Sequence, residues 1–97
     1  MKATVENLIK AVKACAKAHN AEFCDWSDGD DQLGVKSESV PVVADVRMIA
    51  QAFGGGHGVV EVGWGYTTVY IDALVIDPEA DVDEKILAMA LPKGTVL

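Results

Sequence analysis

The run Gly54-Gly55-Gly56 sets the strongest constraint on how this chain can fold. Glycine after a periodic apolar stretch is where a helix ends, because the left-handed conformation that closes it costs glycine nothing. The residues before the run have that period. Val42, Val46, Ile49 and Phe53 fall at spacings of four, three and four, one stripe of a helix. Ser39 is a natural cap for its start. Pro41 is tolerated in a first turn, whose amides have no helical partners.

Two further helices are expected. Val5, Leu8, Ile9, Val12 and Cys15 or Ala16 make a stripe between Thr4, a cap, and Asn20, a stop. Glu6 precedes Lys10 by four residues, the favourable order. A last helix is expected over roughly 79–90, started by Asp77 or Pro78, with Val82, Ile86, Leu87 and Met89 or Ala90 as its apolar face. Pro92 and Gly94 end it, and the tail 95–97 could pair as a short strand.

Between the helices the period changes to two. Residues 22–26 and 32–36 flank an Asp-Gly turn, and 59–64 and 67–76 form a second pair of strand-like runs. The expected fold class is α+β: a single small domain over 1–97, ordered α-ββ-α-ββ-α, with one antiparallel sheet and helices packed on one face. An apolar fraction of 51% supports a globular chain, and no apolar run is long enough for a signal peptide or a membrane span. A cytoplasmic protein without membrane contact is expected.

Charge narrows the partners. The net charge is −7, and it is concentrated. Glu22, Asp25, Asp28, Asp30 and Asp31 stand together without a base, and so do Asp77, Glu79, Asp81, Asp83 and Glu84. Such a surface repels nucleic acid and attracts a basic protein, including one that itself binds nucleic acid.

Phosphate loops run from a strand through glycines into a helix N-terminus; here the glycines follow a helix, whose end carries the negative dipole. Residues 49–57 nevertheless resemble the helix-plus-GGGH segment of DHH-family phosphoesterases, over nine residues of 97. The resemblance implies a phosphate contact for Gly54, Gly55, Gly56 and His57. It departs at Gly58-Val59-Val60-Glu61, and the family's Asp-His-His metal motif is absent from the chain.

Cys15, His19 and Cys24, with His57 as a fourth ligand, lack the two close pairs that zinc sites usually show. A Cys–His nucleophile lacks an evident third group. The segment 25–34 does not place glycine and glutamate where a calcium loop needs them. The expectation is no metal, no cofactor and no catalytic residue. Two cysteines are too few for a disulfide framework, and both are expected reduced.

In size, acidity and lack of a catalytic constellation the chain resembles the small phage-encoded inhibitors of bacterial defence, of the anti-CRISPR type. That resemblance implies a non-enzymatic inhibitor that binds a basic partner surface. Asp25, Asp28, Asp30 and Asp31 would be its contact residues and Trp26 its anchor. The alternative is a small-ligand or nucleotide-phosphate binder using Gly54 to His57, with Trp64 and Tyr66 beside it.

Overall fold

The computed structural model describes residues 1–26, 32–37, 40–62, 66–72, 76–95 and 97. In chain order the elements are α1 (Val5–Ala18), β1 (Glu22–Trp26), β2 (Gln32–Ser37), α2 (Val40–Phe53), β3 (Gly56–Val62), β4 (Tyr66–Asp72) and α3 (Glu84–Ala90). The strands pair antiparallel in the order β1-β2-β4-β3, so the two hairpins join through β2 and β4.

Local chemistry sets the ends of α1 and α2. The Thr4 hydroxyl accepts from the Asn7 amide at 3.1 Å, satisfying one orphan donor of α1. At its far end Asn20 takes φ 53, a left-handed value that asparagine tolerates. The Asn20 amide donates to the Lys17 carbonyl and the Ala21 amide to that of Ala16. α2 ends the same way. Gly54 has φ 72, its amide donates to Gln51, and the Gly55 amide donates to Ala50 at 2.8 Å. Both helices therefore stop in a double-bonded left-handed cap. The position of Ser39 lies outside the described residues.

The expected fold class needs correction, because the sheet is not the floor on which all the helices rest. α1 packs on β1, β2 and α2, and α2 packs on β2, β3 and β4, so these two share one face. α3 makes its main contacts with α2. The smallest extent of the Cα trace is 16 Å, enough for two layers packed roughly 10 Å apart and no third. α3 must then lie beside α2 in a row of three helices that is wider than a four-stranded sheet. Leu8, Val12, Val42, Val46, Ile49 and Phe53 from the helices are fully buried, and so is Ile71 from β4. The molecule is a helix-dominated globule.

Smaller corrections follow from turn chemistry. α3 begins at Glu84, capped by the Asp83 carboxylate, and not near residue 79. Asp77 and Pro78 instead make a tight turn, in which Asp77 accepts from the Glu79 amide at 2.9 Å. Residues 80–82 then run extended against the N-terminus: the Ala3 amide donates to Ala80 and the Val82 amide to Met1. Met89 is 68% exposed and Val5 47%, so neither belongs to its helix's buried face. β3 starts three residues before the expected Val59, taking Gly56, His57 and Gly58 into the sheet. Thr95 closes a turn on Pro92 and belongs to no strand.

Gly54 and Gly55 are required for different reasons, and this is testable. A Cβ at Gly54 would meet nothing within 4 Å, so its constraint is the positive φ alone. A Cβ at Gly55 would stand 3.1 Å from Ile76 Cγ1 and 3.2 Å from Ile71 Cγ2. Gly54→Ala is expected to cost about 1–2 kcal/mol and Gly54→Asn less, since asparagine accepts the left-handed region. Denaturant unfolding of the two variants checks this; equal losses would contradict a backbone cause.

Candidate functional site

The described residues contain one convergence of chemically capable side chains, at the seam between α1 and α2. Cys15 and His19 are four residues apart and share a face of α1. Asp45 reaches them from α2. One ligand atom from each of the three lies within 4.8 Å of the others. His19 Nε2 lies 2.5 Å from Asp45 Oδ2. A carboxylate only accepts, so Nε2 carries the proton of this bond. The pair is partly covered, with side-chain exposures of 24% and 26%.

Cys15 is fully buried. Burial pushes its thiol up from 9.0 to about 11, and the Asp45 carboxylate adds to the rise. A thiol, not a thiolate, therefore stands beside the His–Asp pair at neutral pH. The three residue types are those of a cysteine hydrolase, but the physics is reversed: an activated cysteine needs a lowered pKa and access to substrate. As it stands the cluster holds α1 to α2 and buries a small apolar side chain.

The residues singled out from sequence fall elsewhere. Asp25 and Trp26 end β1, in register with Leu33 and Gln32. Asp28, Asp30, Asp31 and Trp64 lie outside the described residues. Tyr66 opens β4, in register with Val62. The four-residue zinc set of Cys15, His19, Cys24 and His57 is not assembled. Cys24 is on β1 and His57 on β3, the opposite edges of the sheet, three strand spacings of about 4.8 Å apart.

The glycine loop has little to offer a phosphate. The amides of Gly54 and Gly55 are committed to the α2 carbonyls, and Gly56 and His57 are strand residues paired with Asp72 and Ile71. Asp45, the residue that sequence reasoning missed, carried no local signal, being 26 positions from His19.

A second feature lies at the other end of the helical row. An open groove of about 720 Å³ runs along α3 and the segment after it, lined by Met1, Leu87, Ala88, Leu91, Pro92 and Leu97. Glu84 and Lys93 bring charge to its lining. Asp77, Glu79, Asp81 and Asp83 are all exposed on the adjoining segment. Lys2 Nζ pairs with Asp81 at 3.1 Å, and the N-terminal amine approaches Glu84 at 3.9 Å. No helix among the described residues is long and apolar enough to cross a membrane.

The thiol's state yields a prediction with a definite sign. Its folded pKa is raised, so the stability tied to the neutral thiol is complete below pH 9.0 and is lost as the pH rises towards 11. In a Cys24→Ser background, iodoacetamide should label the folded protein far more slowly at pH 8 than the urea-unfolded chain. Unfolding free energy should drop by up to about 2–3 kcal/mol more between pH 9 and 11 than in Cys15→Ala. Equal labelling rates would show the thiol to be accessible.

Comparison with family models, with characterised proteins and with solved structures found no match to this chain.

Proposed function

We propose that this protein is a non-enzymatic binding protein of the cytoplasm, an inhibitor in the manner of the small anti-CRISPR-type phage proteins. It seats on a basic, nucleic-acid-binding protein surface. The observation that carries the reading is the apolar groove along α3 with exposed carboxylates beside it. Protein interfaces combine an apolar, desolvated centre with a charged, wet rim. Here Leu87, Ala88 and Leu91 supply the first and Glu79 and Glu84 the second. A net charge of −7 draws a basic partner in and disfavours direct contact with nucleic acid. Asp25, Trp26, Asp28, Asp30 and Asp31 are, in sequence, the other acidic cluster of the same reading. The phosphate-loop alternative loses support from the committed amides of Gly54 and Gly55.

The test begins with capture of partners by the purified chain from a bacterial lysate at low and high salt, identified by mass spectrometry. The expected partner is a basic protein released by salt. Ala88 is exposed, so Ala88→Lys should change stability by no more than about 0.5 kcal/mol. It should weaken that partner by about 2 kcal/mol or more, by placing a like charge at the centre of the contact. Glu79→Gln with Glu84→Gln should chiefly slow association and flatten its salt dependence. A third variant neutralises Asp25, Asp28, Asp30 and Asp31. If all three bind as the parent does, or if no salt-sensitive basic partner is captured, the reading fails.

A further inference from the structure

The groove belongs to the binding reading, and the glycine loop is occupied by its own cap. The Cys15–His19–Asp45 cluster is explained by neither. We propose that it is a zinc site, with Cys15, His19 and Asp45 as its three protein ligands and the fourth position left to water.

Three arguments support the assignment. The first is donor chemistry. Thiolate, imidazole and carboxylate together are a zinc set, whereas calcium and magnesium take oxygen ligands alone. The second is charge. A thiolate and a carboxylate balance a divalent ion, so the loaded site is neutral where it is mostly buried. Uptake releases the thiol proton to solvent. The third is the local field. Cys15 lies in the last turn of α1 and His19 is its C-cap, where the backbone carbonyls favour a cation.

The geometry needs little adjustment. With bonds of about 2.0–2.3 Å, ligand atoms around four-coordinate zinc stand roughly 3.3–3.8 Å apart. The widest separation here is within 4.8 Å, and the closest, His19 to Asp45, is 2.5 Å. Side-chain rotation of about 1 Å closes the first and opens the second. The metal ion then takes the place of the Nε2 proton that His19 now donates to Asp45, and the neutral ring keeps its one proton on Nδ1. The site rests on a different observation from the binding reading and stands or falls without it.

The test uses the whole chain, reduced with a phosphine and freed of metal by chelation, titrated first with Co²⁺ and then with Zn²⁺. The expected result is one Co²⁺ per chain, with a sulfur-to-cobalt charge-transfer band and the visible absorption of a tetrahedral site, both bleached by stoichiometric Zn²⁺. Cys15→Ser and Asp45→Asn should each weaken uptake at least about tenfold, the loss typical even for groups that only support a ligand. Cys24→Ser and His57→Gln should bind as the parent does. Zn²⁺ should raise the melting temperature of the parent and not of Asp45→Asn. Circular dichroism monitors folding. Should Cys15→Ser fail to fold, Cys24→Ser and Asp45→Asn decide the matter. The proposal is overturned by absence of saturable uptake, by uptake without the sulfur band, by a band undiminished in Asp45→Asn, or by a band lost in Cys24→Ser.

Discussion

The structure depends first on α2 being apolar on more than one side. Its stripe of Val42, Val46, Ile49 and Phe53 is fully buried, and Ala50 and Ala52 are buried beside it. The helix packs against α1, α3 and three of the four strands. A helix in that position cannot be replaced piecemeal: removing a large buried side chain such as Phe53 leaves a cavity shared by several elements, at a cost of about 3–5 kcal/mol. Its small residues matter as much as its large ones. Alanine at 50 and 52 lets neighbouring backbone approach, and the Asp83 amide donates to the Ala52 carbonyl at 2.9 Å.

Much of this was legible because it is encoded locally. Thr4 and Asn20 bracket α1, and the α2 stripe ends at Gly54, because caps and periodicity act over one or two turns of chain. The strand-like runs 22–26 and 32–36 fell where β1 and β2 stand for the same reason. What could not be read is what the third dimension decides. The joining of the hairpins through β2 and β4 has no local signature. The displacement of α3 from the sheet reflects how many helices fit across four strands. The late start of α3 was hidden because the acidic residues at 77, 79, 81 and 83 suit an extended strand as well as a helix N-terminus.

The candidate site shows the same division more sharply. The i, i+4 relation of Cys15 and His19 was visible on a single helix, but its companion was sought among cysteines and histidines. Asp45 arrives only because α1 and α2 pack side by side. It is one aspartate among many in an acidic chain, and residue type alone could not pick it out. Cys24 and His57, chosen by type, are separated by the full width of the sheet.

The pairing of residues 1–3 with 80–82 has a consequence for the order of events in the cell. A chain is made from its N-terminus, so the Ala3 amide has no partner until the carbonyl of Ala80 has been synthesised. At the ribosome's pace of about 5–20 residues per second, that is several seconds during which α1 and then the strands are made while the belt between residues 1–3 and 80–82 is still missing. Until then the part of α2 that α3 will cover stays bare, an apolar surface on a nascent chain. Residues 80–90 thus act as a closure, and a pause before they are made leaves the nascent chain open on the side where α3 will lie.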